Sequence, residues 1–295
     1  MIALTLYAMT AKGAATFDAL AATCPGLVRT VVSARDPGTR DGSYDRLAAA
    51  CAARGVPFHD RAEAAAVPAT SHALAVGWRW MIPERPGTTL VVFHDSLLPR
   101  YRGFNPLVTA LIEGDAETGV TALLANGEYD RGDILGQVTV PLPRPIRIAA
   151  AIDLIAVAYG RLATRIGARI AAGEPLTGVA QDEAATSYSL WRDVADYDMD
   201  WSDSAERLRD FVYAVGPPYA GARTRLDGVP VRVWEVTVEP DAVIANRVPG
   251  KVIFLRDGRP TVVCGSGLLR IDAMSLDDDS GSSCLPLTRF RVRLG

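Results

Sequence analysis

Proton transfer near neutral pH needs a side chain that titrates there, and the chain offers three: His59, His72 and His94. His59 stands beside Asp60 in what reads as a strand-end loop, and His72 stands in a Ser-rich turn. Both read as solvated loop residues. His94 differs. It ends an apolar run, 90–93, and opens Asp95-Ser96-Leu97-Leu98-Pro99-Arg100-Tyr101-Arg102-Gly103. That stretch is long and non-helical, carries two arginines and a glycine, and leads into a helix at Pro106. A histidine at such a strand terminus can exchange protons with a bound ligand. The four cysteines are scattered with no Cys-x-x-Cys pair, so neither a zinc site nor a redox dithiol is expected, and no metal. A reducing, cytoplasmic compartment is the expectation. Arg131-Gly132-Asp133 and Gly265-Ser266-Gly267 match short motifs without the structural context those motifs need.

The hydrophobic pattern predicts the elements that must position His94. Residues 2–9 are a β-rich run, 14–23 have helical spacing, and 27–33 form a second strand. Residues 44–54 are a helix that Gly55 suits as C-cap. Residues 73–76 and 90–93 are short apolar strands. Strand and helix in alternation predict an α/β fold: a Rossmann-like, mostly parallel sheet with helices on both faces. Ligands of such sheets bind beyond the carboxyl ends of the strands, where His94 falls. Residues 119–124 and 135–140 are further strands joined by a polar loop. Residues 146–172 read as one long helix, with Pro145 before it and Gly173 and Pro175 after it. The composition then turns polar and irregular. A short helix, 204–214, precedes alternating runs at 229–239, 251–255, 260–264 and 268–274, with a hairpin turn at Asp257-Gly258. These predict a small β-rich, OB-like C-terminal domain. The expected division is a catalytic domain at 1–175, a linker at 176–200 and a small barrel at 201–295.

The decapeptide His94-Asp95-Ser96-Leu97-Leu98-Pro99-Arg100-Tyr101-Arg102-Gly103 resembles the His-x-Ser-Leu-Leu-Pro-x-Tyr-Arg-Gly signature of the 10-formyltetrahydrofolate-dependent formyltransferases. That family includes methionyl-tRNA formyltransferase and the sugar N-formyltransferases. Ile112-Glu113-Gly114-Asp115 and Thr118-Gly119-Val120-Thr121 resemble the family's approach to the next strand. Asp130-Arg131-Gly132-Asp133-Ile134-Leu135 resembles its Asp-x-Gly-Asp loop. Asp200-Trp201 and Pro217-Pro218-Tyr219-Ala220-Gly221-Ala222 resemble the start of its C-terminal domain. The likeness covers nearly the whole chain in order. It implies direct transfer: an amine attacks the formyl carbon of 10-formyltetrahydrofolate, a tetrahedral oxyanion forms, and the folate amine leaves. His94 then matches the family's histidine, which moves a proton and stabilises the oxyanion. Asp130 matches its aspartate, which holds the histidine's tautomer and helps deprotonate the amine. The chemistry asks for such groups in any case. An ammonium must lose a proton before it attacks, and charge growing on oxygen needs a donor. The resemblance also places the pterin at the 77–83 loop. Trp78, Arg79, Trp80, Met81 and Ile82 would bind it, with apolar faces for a flat ring. Asn126 and the rest of the 126–130 loop would close the other side. Core packing is the other reading of the two tryptophans.

Two positions depart from the pattern. The family's asparagine two residues before the histidine is Val92 here, and losing one oxyanion donor costs about 10²–10³ in rate. Asn126 and Asn105 are the nearest polar candidates, and both also read as turn residues. Thr10-Ala11-Lys12-Gly13 occupies the loop where members often carry a glycine soon after the first strand. The acceptor implied is the primary amine of a small molecule, an amino-sugar nucleotide or an amino-acid-derived metabolite. Alternatives are methionyl-tRNA formyltransferase and, because of Val92, a folate-binding hydrolase or a non-catalytic homologue. Net charge is −3, there is no polybasic run, and residues 201–295 carry 13 basic and 12 acidic side chains. Nucleic acid is therefore not the expected principal partner. No uninterrupted run of about 18 apolar residues exists, so no membrane span is expected, and the first residues read as a strand rather than a signal peptide. A homodimer is compatible with this reading.

Overall fold

The computed structural model describes residues 2–36 and 42–295, which fall into two compact units. The first runs to Leu107 and adds Ala116–Leu142 and Ala150–Leu190; the second holds Val108–Asp115, Pro143–Ala149 and Trp191–Gly295. In chain order the elements up to Leu190 are β1 (Leu4–Ala8), α1 (Thr10–Thr23), β2 (Val28–Ser33), α2 (Ser43–Ala53), β3 (Phe58–Asp60), β4 (His72–Val76), β5 (Thr89–His94), β6 (Arg102–Gly103), α3 (Pro106–Glu113), β7 (Glu117–Leu124), β8 (Ile134–Pro141), α4 (Ile148–Ala171) and β9 (Tyr188–Ser189). Seven strands form one sheet in the order β3-β2-β1-β4-β5-β7-β8. The first five are parallel, and β7 and β8 join antiparallel. The mostly parallel sheet is as expected; β3, three residues long, was not anticipated.

Register and strand alternation sort the side chains onto two faces. Leu4, Leu6, Ala8, Leu74, Val76, Val91 and Phe93 share one face. Helix α1 covers it so closely that a Cβ on Gly13 would stand 2.9 Å from the Ala8 Cβ. Helix α4 lies there too: Tyr159 meets the Phe93 ring edge-on at 5.8 Å, and Gly167 leaves the space that Leu20 fills. Thr5, Tyr7, Ala73, Ala75, Leu90, Val92 and His94 share the opposite face. There Ala64, Trp78 and Ile82 pack over a core of Tyr7, Val32, Val67 and Ala73. No helix among the described residues is long and apolar enough to cross a membrane.

The stretch after α4 joins the first unit by backbone pairing. Val179 bridges Ile134, and β9 pairs in parallel with β6. In the second unit, α5 (Ala205–Val215) has the Ser204 hydroxyl as N-cap, accepting from the Arg207 N–H, and buries Ala205, Leu208, Val212 and Val215 at helical spacing. The strands β10 (Ala222–Leu226), β11 (Val229–Glu239), β12 (Val252–Arg256), β13 (Arg259–Val263) and β14 (Leu268–Leu276) form an antiparallel sheet in the order β10-β11-β14-β13-β12. Asp257-Gly258 is the hairpin turn the sequence predicts, with both residues at positive φ. Asp227-Gly228 turns β10 into β11 the same way. The last residues bridge both outer strands: Leu294 pairs with Leu226 and Arg293 with Lys251.

Candidate active site

Strand β5 delivers His94 to the carboxyl rim of the parallel sheet, buried to 8% exposure. Its two ring nitrogens face different oxygens. Nε2 lies 2.8 Å from the Tyr101 carbonyl oxygen, which can only accept, so Nε2 carries the hydrogen. Nδ1 lies 3.3 Å from Asp130 Oδ1, longer than the 2.7–2.9 Å typical of a charge-assisted hydrogen bond. The ring is thus oriented from one side by a backbone carbonyl and turned on the other toward a carboxylate. With the hydrogen on Nε2, Nδ1 and Asp130 Oδ1 lie side by side as two proton-accepting atoms. Asp130 is held in turn: its Oδ2 accepts the Gly103 N–H at 2.9 Å.

The backbone of both partners is constrained. Tyr101 and Asp130 occupy the left-handed region, with φ of 57° and 56°. Non-glycine residues reach it at a cost of about 1–3 kcal/mol, and such strain gathers at functional sites. Gly132 explains the glycine of the Asp-x-Gly-Asp loop by space rather than by φ. A Cβ there would stand 1.6 Å from the Leu124 carbonyl oxygen.

Val92 lies on the same sheet face as His94, one strand repeat back, and Leu90 one repeat further. Toward the amino ends of β4 and β5, Leu90 lines a cavity of about 380 Å³ whose wall mixes Tyr7, Ile82 and Ala125 with Thr70, Glu84 and Arg85. Val92 therefore stands between the cavity and His94. Of the residues expected to bind a pterin, Ile82 lines this cavity and Trp78 packs behind it, edge-on to Tyr7 at 5.2 Å. The Trp78 indole N–H is buried without a hydrogen-bond partner. Trp80 continues outward from Trp78 and carries the Arg61 guanidinium over its ring at 4.3 Å, while Met81 is 60% exposed. Arg79 is exposed and pairs with Asp36. Asn126, next to the lining residue Ala125, is an exposed turn residue whose Oδ1 accepts the Glu128 N–H. His59 and His72 stay apart from the site: His59 faces Glu63 at 3.6 Å, and His72 Nδ1 lies against the Ser71 hydroxyl. Among the described residues no cluster of three or more His, Cys, Asp or Glu could hold a metal.

Three groups near His94 were given no role by the sequence. The first is the Tyr101 carbonyl. The second is a buried charge network on the α4 face: the Asp95 carboxylate takes hydrogen bonds from the Lys12 ammonium and the Tyr159 hydroxyl. Burial pushes the Asp95 carboxyl up, but Lys12, Tyr159 and His94 outweigh it and hold it below the usual 3.8. The third is Arg102, fully buried, whose guanidinium bonds Gln181 and Glu183. Arg102, aided by Arg131, holds the Glu183 carboxyl at about 2 despite partial desolvation.

The formyl transferase family model matches residues 73–144, which span β4 through the His94 and Asp130 loops, and the formyl transferase C-terminal domain model matches 193–282. Together they cover more than half of the chain. The methionyl-tRNA formyltransferase of Ralstonia nicotianae is 31% identical over 207 residues, 70% of this chain and 62% of that protein. The chain thus spans less than two thirds of the length of such curated relatives. The fold is shared with the N-formyltransferase of Helicobacter canadensis, solved with folinic acid and dTDP-3-aminofucose: TM-score 0.68, 15% identity, covering 92% of this chain and 99% of that one. It is shared also with HypX of Aquifex aeolicus in complex with tetrahydrofolic acid: TM-score 0.61, 18% identity, covering 94% of this chain and 44% of that one. With its motif order, its rim histidine and both domain models in place, the chain belongs to the formyltransferase family.

Proposed function

We propose that the protein transfers a formyl group from 10-formyltetrahydrofolate to the primary amine of a small molecule. The observation that carries this reading is the His94–Asp130 pair, oriented at the carboxyl rim of the parallel sheet. The folate, when bound, supplies an activated one-carbon unit. The 77–83 loop, which follows β4 at the carboxyl end of the sheet, would hold the flat heterocycle. Asp130 is placed to receive the proton that the attacking ammonium must lose. His94 Nδ1 is placed to move that proton or to face the formyl oxygen. Trp78 and Ile82 would line the pterin side, with Arg79, Trp80, Met81 and Asn126 at the mouth.

A second acceptor, methionyl-tRNA, is favoured by the names of the curated relatives. The near-neutral charge of residues 201–295 had counted against nucleic acid, but relatives named for a tRNA give that expectation no support. Titration of the protein with folinic acid is expected to give saturable heat. Neither heat nor a thermal shift at millimolar ligand would remove the folate from this reading. With 10-formyltetrahydrofolate present, amino-sugar nucleotides are expected to be formylated faster than methionyl-tRNA. The reverse order favours the tRNA acceptor, and free formate without a formylated amine favours a hydrolase.

Val92 gives a separate test. With its side chain apolar, the oxyanion needs a donor about 2.7–3.1 Å away from another source: His94 in its doubly protonated form, a backbone N–H or the Asn126 amide. Val92→Asn is then expected to change kcat/KM by less than about tenfold. A gain of about 10²–10³ would mean that the native site lacks the donor altogether.

A further inference from the structure

The segment after α4 was expected as a linker, yet its polar side chains end on the two groups that orient His94. The Ser187 hydroxyl accepts the Tyr101 N–H at 2.9 Å. The neighbouring backbone follows: Arg102 N–H to the Ser187 carbonyl at 2.9 Å, and Phe104 N–H to the Ser189 carbonyl at 3.0 Å. On the other side, the Gln181 amide donates to the carbonyls of Asp130 and Gly132, each at 2.8 Å. The Gln181 carboxamide oxygen accepts from Arg102 Nε and Nη2 at 3.0 and 2.8 Å. One side chain therefore joins the loop that carries the carboxylate to the strand that follows the carbonyl.

The two contacts are matched. Each of the two oxygens around the imidazole belongs to a residue in left-handed backbone, and each such residue is pinned by one polar side chain from 181–187. A left-handed non-glycine residue relaxes unless its surroundings over-determine it. Here those surroundings come from about 50 and 86 residues away in sequence. The close approach leaves no slack, since a Cβ on Gly103 would stand 2.6 Å from the Ser189 carbonyl oxygen. The ion pairs of Glu183 with Arg102 and Arg131 fasten the strap between these two points.

We infer that Gln181 and Ser187 are positioning residues for the reaction: without touching substrate, they fix the Asp130 carboxylate and the Tyr101 carbonyl and so set the tautomer and direction of His94. The kinetic part of this inference rests on the proposed transfer reaction; the structural part does not.

The 295-residue chain carries three histidines, so ¹⁵N spectra of its imidazoles resolve His94 directly. In the wild type the His94 Nε2–H is expected to be observable, protected from exchange by the Tyr101 carbonyl. Ser187→Ala and Gln181→Leu are each expected to lose that signal to exchange or tautomer mixing. Both are expected to lower kcat by roughly tenfold to a hundredfold, the cost of a catalytic group displaced by about 1 Å. KM for the folate should stay within about twofold. Ser187→Thr, which keeps the hydroxyl, should retain signal and rate. Unchanged His94 signals in both variants, or a rate loss that merely tracks unfolded protein, would overturn the inference. The spectra decide it even if the wild type proves to transfer no formyl group, so its failure is distinct from failure of the functional reading.

Discussion

Replacing His94 with alanine is expected to lower kcat/KM for formyl transfer by about 10²–10⁴, the usual worth of a positioned acid–base group. Asp130→Asn should cost a comparable factor. The asparagine oxygen can still accept the Gly103 N–H, so the loop stays in place while the charge beside Nδ1 is lost. Because the carboxylate and the ring act on one proton, the losses should not multiply: the double variant should be little worse than the poorer single one. Both residues sit at the rim rather than in the apolar centre of the sheet, so thermal unfolding should change little. Rates of the three variants on one amine, measured beside their melting curves, make the check. A double-variant loss equal to the product of the single losses would mean that the two residues work independently.

The second large effect concerns stability. Lys12→Met should destabilise the first unit by about 3–5 kcal/mol, the cost of stripping one partner from a buried ion pair. Lys12 and Asp95 are only 14% and 15% exposed, so solvent does little to screen the loss. The pH dependence follows from the direction of the Asp95 shift. Its folded-state pKa lies below the ordinary 3.8. Its contribution is therefore complete above that value and is lost as pH falls through the folded one. In Lys12→Met the burial that opposes ionisation is no longer outweighed by an ammonium. The variant is then hurt most where Asp95 must be charged and less where it can be protonated. The gap in melting temperature from wild type should be wide at pH 8 and should narrow toward pH 4. An equal gap at both would point to lost packing of the lysine stem instead.

Much of the site was legible because its signals are local. The apolar run ending at His94 marks a strand terminus, and the parallel sheet follows from alternation of elements around it. Prolines and glycines mark the ends of α4 to within two residues. Asp257-Gly258 announces its hairpin. The missed parts share a physical cause. A backbone carbonyl such as that of Tyr101 leaves no trace in residue identity. Ser187 and Gln181 lie in an irregular polar stretch, and nothing local tells a strap from a linker when its partners are dozens of residues away. Strand β3 is too short for a period of two to show. Strand β10 alternates arginine with small residues, which hid a buried face behind surface chemistry. Lys12 offered a usable hint: in a chain with two lysines among 31 basic residues, an ammonium in the first turn of α1 is a specific choice.

The bridging of Leu226 and Lys251 by residues 293–294 has a consequence for self-association. A five-stranded antiparallel sheet presents two outer ladders, β10 and β12, whose free N–H and C=O groups are templates for a strand of another molecule. Here one short segment bridges one end of each. The Leu294 N–H is spent on the Gly250 carbonyl and the Gly295 N–H on the Arg225 carbonyl. The same few residues thereby block edge-to-edge pairing where they bind, and Arg289 adds an ion pair to Asp227 in the turn beside them. Any modification that pulls those residues away would uncover one end of each border strand at once, at Leu226 and at Lys251.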